Sequence, residues 1–578
     1  MADEYIFPGY KLPVNPAWEQ GTVAHGFVTP SQDRIPQVVS IPPRRALPII
    51  FLPGTMGSNL RMSAERQARL QRSDNIAWRP DQLIATLRMS NDSAAQRQLR
   101  LDPETTEVDM YDPVGNPTGN PGETSDERND KVSFSEGLYM WSESTGDWPL
   151  LTSDRSAKEK GGKTAHQKAR ERGWGEVFFG SYSQLLLRCE ARLNAPYRAG
   201  KLSPQWGDVI GVAPAKWDAH KEPALKALDE ETFRAAVKGV WFPVHAMGYN
   251  WLKGSKGSGI VIATRITALM KNYENQGFQC EKVILVTHSM GGLVARAVIH
   301  PEMGKLNEKV LGIVHGVMPA IGAGAAYKRM RCGVEGDDIA AKVIGNKGTL
   351  MTAVLGNAQG GLELLPSQAY GNNWLQVKHK GVTIKSLPTR GDPYEEIYKV
   401  KGKWFGLLNE SSLNPARLPK GPSFANSCTL LDRAKNFHNA IENTYHDQSF
   451  AHFGADPGRA AWHRVVWGID DRAIVTNVDS LQLVADSDQG TLSLVDLEHV
   501  PRSGESRPRF ACSMVPAADP GDQTVPMFSA DHQLRSGKFK GIFRQHGYEH
   551  QASYKDKAAL DSTLYSLIRI ASTMAWTK

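Results

Sequence analysis

A serine held between an apolar run and a helix-like run is the first place in this chain where residue types and spacing could do chemistry. The segment KVILVTHSMGGLVARAVI at 282–299 sets Thr287-His288-Ser289-Met290-Gly291 between residues 282–286, which read as a buried strand, and 291–299, which read as a helix. A hydroxyl is a weak nucleophile at its free pKa, so it needs a neighbouring base and an exposed position. A sharp strand-to-helix turn supplies the exposure by holding Ser289 in a strained conformation above the sheet edge. That turn tolerates only small residues behind the serine, which accounts for Gly291 and Gly292. Thr287 departs from the G-x-S-x-G pattern and requires slightly more room where the pattern has glycine.

The partners of such a serine follow in the order Ser, Asp or Glu, His. Late in the chain, Pro520-Gly521-Asp522-Gln523-Thr524-Val525-Pro526 is a turn that presents a carboxylate just before an apolar step, and Asp522 is the expected acid. The plainer alternative is an Asx-turn aspartate at a loop tip. Residues 541–543 read as a short strand and 547–551 as a loop before the last helix, where the base belongs. His550 is the expected base, with His546 and His532 as rivals. The developing oxyanion needs two backbone N–H groups. One is expected from Met290 at the start of the helix and the other from Thr55, in the loop Pro53-Gly54-Thr55-Met56-Gly57. An ordinary glycine-rich turn is the competing reading of that loop.

These residues need a scaffold that brings distant segments to one edge. The run LPIIFL at 47–52 reads as a buried strand entering the glycine loop, and VWFPVHAMGYNWL at 240–252 as a strand ending in a loop. Ile262, Ile266, Leu269, Met270 and Tyr273 then form one apolar helical stripe. Strand 282–286, helix 291–299 and a short strand at 310–314 complete an alternation that predicts an α/β fold, a mostly parallel sheet covered on both faces. Leu560, Leu564, Leu567, Ile568 and Ala571 mark a final helix.

The expected division is 1–60, lead-in and first core strand with the oxyanion loop; 61–172, a first cap insertion; 173–320, core with the nucleophile turn; 321–460, a second cap insertion; and 461–578, core with acid and base. The first insertion contains the turn-rich tract VGNPTGNPGETSDERND, where hydrophobic periodicity disappears. VVWGI at 465–469 restores a strand, and 472–515 reads as hairpin material. In the second insertion Leu350, Met351, Val354, Leu355, Leu362, Leu364 and Leu365 could line an apolar groove or form the insertion's own small core. The run Lys158, Lys160, Lys163, Lys168, Arg170 and Arg172 reads as a solvated linker, with contact to anionic lipid as the lesser alternative.

Composition narrows the classes of function. With 40% hydrophobic and 22% charged residues among 578, the chain is globular, and a net charge of +7 is mild for that length. No nucleic-acid-binding signature is present. Five widely spaced cysteines form no CxxC pair, so neither a zinc site nor any other metal or cofactor is expected. Gly162-Lys163-Thr164 has Ala157 where a P-loop has its leading glycine, and Gly322-Ala323-Gly324 lacks a dinucleotide-binding context. The opening MADEYIFPGYKLPVNP carries acidic residues and prolines where a secretory signal has basic and then apolar ones, so ordinary Sec export is not expected. Membrane contact is expected to be peripheral, because no run of about 18 apolar residues occurs.

FLPGTMGSNL, THSMGG, LELLPSQAY, VVWGID and GDQTVP, in that order, resemble the lecithin:cholesterol acyltransferase-like branch of α/β-hydrolases. Within it the chain is similar to the fourth family of bacterial type VI secretion lipase effectors and to the enzymes that deacylate the inositol of glycosylphosphatidylinositol anchors. The resemblance implies Ser289 as nucleophile, Asp522 as acid, His550 as base, and Thr55 with Met290 as oxyanion donors. It implies hydrolysis of membrane glycerophospholipid esters through an acyl-enzyme. It also implies synthesis in a bacterial cytoplasm, delivery without a signal peptide by a component of the type VI secretion apparatus, action at target-cell membranes, and a cognate immunity protein as partner. An acyltransferase that passes the acyl group to an alcohol, and a catalytically inactive membrane-binding scaffold, are the alternatives.

Overall fold

Six strands carry the centre of the molecule: β1 (Ile49–Leu52), β2 (Val244–Ala246), β3 (Val283–His288), β4 (Val310–Gly316), β5 (Ser449–Gly454) and β6 (Phe539–Gln545). They pair in the order β2-β1-β3-β4-β5-β6, every pair parallel. The computed structural model describes residues 43–112, 115, 132–134, 151, 153–154, 162–198, 201–475, 477–501 and 506–577, with the backbone of three short strands between 14 and 41. The tract at 114–130 therefore lies, but for residue 115, outside the described residues, as do Lys158 and Lys160.

Near-continuous apolar runs form the first four strands because helices cover both faces of the sheet. Ile49 and Phe51 of β1 and Ile284 and Val286 of β3 pack beneath α1 (Phe179–Asn194) and α4 (Lys557–Ala571). Ile50, Leu52, Val283 and Leu285 face the other way, onto α2 (Ser255–Asn275) and α3 (Gly291–Ile299). The chain runs from β1 outward to β2 and then back across β1 to β3. The order of strand addition thus reverses between β1 and β3 while every strand keeps its direction, and such a switch point is where open α/β sheets gather their binding loops.

The expected α/β class with a mostly parallel sheet is what the structure has, but two boundaries differ. Strand β5 lies between β4 and β6 in the central sheet, so the chain rejoins the core at Ser449 and not after residue 460. Its sequence, SFAHFG, is buried at every position yet interrupted by His452 and Gly454, which hides it from an apolar-run search. The strand Val465–Ile469 belongs to a second sheet. There it pairs parallel to Leu375–His379 and antiparallel to Arg509–Met514, and Thr491–Asp496 and Leu481–Asp486 follow outward. Its burial alternates along the strand, as expected of a sheet with one covered face.

The segments read as insertions pack on each other and on the core. Residues 60–108 contribute a three-stranded sheet and the helices Leu83–Ser90 and Ala94–Arg100. Arg97, from the second helix, donates to the carbonyls of Val343 at 2.8 Å and Met89 at 3.1 Å, and Gln98 donates to Leu413 at 3.2 Å. Met351, Val354, Leu355, Leu362 and Leu365 are buried in a cluster continuous with Leu52, Leu285 and Val294, so they fill a core shared with the central sheet. Where it is described the basic run is mostly helix and not a solvated linker, and two of its cations are buried in ion pairs while Lys163 stays exposed. Thr164 caps the helix Ala165–Glu171, Lys168 is buried against Asp154 at 2.5 Å, and Arg172 is buried against Glu190 at 2.8 Å.

Candidate active site

The turn after β3 puts Ser289 at φ +51°, the left-handed region that a non-glycine residue occupies only when its surroundings impose it. Two contacts impose it here. The Ser289 N–H donates to the Gly316 carbonyl at the end of β4 at 2.8 Å, and α3 begins immediately, with Gly292 N–H donating back to the Ser289 carbonyl at 2.9 Å. Glycine is required at 291 because a Cβ there would lie 2.4 Å from the Leu52 carbonyl oxygen and 2.6 Å from that of Pro53. Thr287 is accommodated by its neighbours. It is buried, its hydroxyl lies 3.3 Å from His315 Nδ1 on β4, and its carbonyl accepts from the Tyr554 hydroxyl at 2.8 Å.

The acid and base reach this turn from β5 and β6. Asp522 stands after a short strand, Asp519–Gly521, that pairs antiparallel with Asp456–Ala461, the continuation of β5. One carboxylate oxygen accepts from the N–H groups of Val525 at 2.7 Å and Thr524 at 3.1 Å, which leaves the other for His550. That other oxygen lies 2.9 Å from His550 Nδ1, and His550 Nε2 lies 2.9 Å from Ser289 Oγ. The three residues are 0%, 7% and 4% exposed, in the order Asp522, His550, Ser289. The rivals are occupied elsewhere: His546 is exposed beside Asp218 at 3.2 Å, and His532 meets the Tyr445 hydroxyl at 3.2 Å.

The glycine loop after β1 lies against the serine. A Cβ on Gly54 would fall 3.1 Å from Ser289 Cβ, and the loop closes by Gly57 N–H donating to the Gly54 carbonyl at 3.0 Å. The backbone N–H groups of Thr55 and Met290 donate to no acceptor among the described residues, so both remain free for a substrate oxygen. The Thr55 hydroxyl is likewise without a partner.

Two further residues touch the site and escaped the reading of motifs. His288 is fully buried, with Nε2 3.0 Å from the His550 carbonyl oxygen and Nδ1 3.2 Å from the Tyr182 hydroxyl. Burial, helped by the neighbouring His550 imidazole, pushes its pKa down to about 3. His288 stood inside the singled-out pentapeptide. Tyr182 lies on α1 with no motif around it. Among the described residues no group of His, Cys, Asp or Glu could hold a metal ion, and no helix is long and apolar enough to cross a membrane.

With this geometry in view, comparison with known proteins bears out the family resemblance. Residues 261–324, from α2 through the serine turn and β4, match the family described as the PGAP1-like alpha/beta domain. A solved structure described as the crystal structure of the Tle4-Tli4 complex is similar to the whole chain, with a TM-score of 0.70 and 28% sequence identity. The likeness covers 92% of this chain and 99% of that one. Comparison with curated proteins finds no match. The chain thus has a PGAP1-like α/β fold and is similar over most of its length to a chain of the Tle4-Tli4 complex.

Proposed function

We propose that this chain is a serine-dependent phospholipase that hydrolyses ester bonds of membrane glycerophospholipids. The observation that carries the reading is the pair of 2.9 Å contacts linking Ser289 Oγ, His550 and Asp522. In the proposed cycle His550 Nε2 takes the Ser289 proton as Oγ attacks the ester carbonyl, and Asp522 holds the imidazole in the matching tautomer. The N–H groups of Thr55 and Met290 stabilise the oxyanion. His550 then returns the proton to the departing lysolipid oxygen, and water, activated by the same imidazole, releases the fatty acid from the acyl-enzyme. No cofactor takes part.

The likeness to a Tle4-Tli4 complex supports a second element of the proposal: the chain is a toxin delivered by the type VI secretion apparatus, and a cognate immunity protein binds it in the producer. The residues between 60 and 108 and between 324 and 441 act as a cap over Ser289.

Labelling with a fluorophosphonate tests the serine, and product analysis on phospholipid vesicles tests the reaction. The expected result is labelling that Ser289→Ala abolishes, with free fatty acid and lysolipid as products. Labelling unaffected by Ser289→Ala would overturn the assignment. Transfer of the acyl group to an added alcohol in preference to water would make the chain an acyltransferase.

A further inference from the structure

We propose that His288 and Tyr182 are positioning residues: a buried hydrogen-bond relay through them ties the oxyanion loop to the main chain of His550. The inference rests on the triad reading above and goes beyond it, since neither side chain touches the reacting atoms.

The polarity of the relay follows from its two ends. The His550 carbonyl can only accept, so His288 Nε2, 3.0 Å away, carries a hydrogen. The Gly54 N–H can only donate, and it donates to the Tyr182 hydroxyl oxygen at 3.3 Å. A neutral imidazole with hydrogen on Nε2 leaves Nδ1 as acceptor, and the Tyr182 hydroxyl, 3.2 Å away, donates to it. Every group in the chain Gly54 N–H, Tyr182 O–H, His288, His550 C=O is then satisfied in one direction. A charged His288 would have no acceptor left at Nδ1 for the Tyr182 hydrogen, so the relay in this polarity uses the neutral ring. Burial works the same way: it pushes His288 down to about 3 and the Tyr182 hydroxyl up to about 12.

Placement gives the relay its consequence. The Tyr182 hydroxyl sits under the glycine loop, 2.6 Å from where a Cβ on Gly57 would be, and a Cβ on Gly54 would lie 2.6 Å from His288 Nδ1. One end therefore sets the height of the loop that carries Thr55. The other end, with His550 N–H donating to the Asp522 carbonyl at 3.0 Å, holds the His550 backbone on both sides of its Cα. The ring can then face Ser289 without drift of the loop it stands on. An apolar side chain at 288 would take the imidazole donor from the buried His550 carbonyl and leave the buried Tyr182 O–H without the acceptor it points at.

The test compares Tyr182→Phe, His288→Gln, His288→Leu and Ser289→Ala in the full chain, reading kcat and KM on a soluble short-chain ester together with the melting temperature. Glutamine presents one donor and one acceptor much as the neutral ring does, whereas leucine presents neither. For His288→Leu, kcat is expected to fall about a hundredfold, as for a catalytic group displaced by about 1 Å, with KM nearly unchanged. His288→Gln is expected to recover most of that loss. Tyr182→Phe, which removes a single oxygen, is expected to lower kcat in the same sense and decides the matter if His288→Leu does not fold. Wild-type kcat in Tyr182→Phe, or equal losses in the glutamine and leucine variants, would overturn the relay. Activity surviving in Ser289→Ala would instead overturn the triad on which it rests.

Discussion

The backbone N–H of His550 donates to the backbone carbonyl of Asp522 at 3.0 Å, while their side chains meet at 2.9 Å. The proposed base and acid come from different loops, yet they are joined by main chain as well as side chain. The imidazole thus has little freedom to leave the line between Asp522 and Ser289, and mutations should separate residues on that line from residues merely near it.

Ser289→Ala is expected to abolish ester hydrolysis, with a fall of roughly 10⁴-fold or more in kcat, and to leave the melting temperature within a few degrees of wild type. The change deletes one oxygen whose only side-chain partner among the described residues is His550 Nε2. Turnover of a chromogenic ester and a thermal melt read both halves; near-normal turnover would show that another nucleophile does the work.

Asp522→Asn and His550→Ala are expected to lose activity by about 10³-fold or more, and His546→Ala and His532→Ala by less than about threefold. His546 is exposed beside Asp218 and His532 pairs with Tyr445, so neither meets Ser289. An inactive His546→Ala beside an active His550→Ala would reverse the choice of base.

Gly291→Ala should damage both fold and function. Its Cβ would lie 2.4 Å from the Leu52 carbonyl oxygen, and relief requires α3 and the glycine loop to separate. Overpacking of this kind costs about 1–3 kcal/mol, and the displaced loop should lower kcat by about a hundredfold. Gly257→Ala, on α2 with nothing within 4 Å of its Cβ, is the control and should raise stability by about 0.5–1 kcal/mol. Comparable effects at the two sites in chemical denaturation would refute the steric account.

Motif reading reached Ser289, Asp522 and His550 because each stands at a change of local pattern: strand to helix, turn to apolar step, strand to final helix. It missed the relay because Tyr182 and His288 are 106 residues apart, and His288 lies 262 residues from His550, without periodicity to connect them. The central sheet was legible where strands were uninterrupted, as in β1, β3 and β4. It was hidden at β5, where His452 and Gly454 break the apolar run. The second sheet was legible in part, at Val465–Ile469 and in the hairpin strands within 472–515, but the pairing of Leu375–His379 with Val465–Ile469 was hidden because the whole of β5 separates them in sequence.

Glu363 should make stability fall as pH rises. Its carboxylate is buried, accepts from Ser255 N–H at the start of α2 at 2.8 Å and from Gln359 Nε2 at 2.9 Å, and meets no cation in an ion pair among the described residues. Burial pushes its pKa from 4.5 up to about 7, and its bonds to Ser255 and Gln359 only partly offset this. Between those values the folded chain keeps a proton that the unfolded chain has lost, so stability present below 4.5 is lost progressively and is fully gone above 7, by about 3 kcal/mol. Glu363→Gln should therefore gain on wild type as pH rises from 4.5 to 8; a difference independent of pH in that range would rule the effect out.

The proposed cap would have to move for lipid to reach Ser289, which is 4% exposed. In the proposed cap the short helix Gln359–Leu362 packs on the side chain of Met290, the proposed oxyanion donor: a Cβ on Gly360 would lie 2.9 Å from Met290 Cε. The same segment is held to the loop before α2 by Gly360 N–H donating to the Leu252 carbonyl at 3.2 Å. Opening therefore breaks polar contacts and exposes apolar surface from the shared cluster, which is unfavourable in water and favourable at a lipid interface. An interface that binds the open state better by about 1.4 kcal/mol shifts the open-to-closed ratio about tenfold. The rate on one ester should accordingly rise by about that factor as its concentration crosses the aggregation threshold. Equal rates on either side of the threshold would mean that the cap does not gate entry, whatever the serine does.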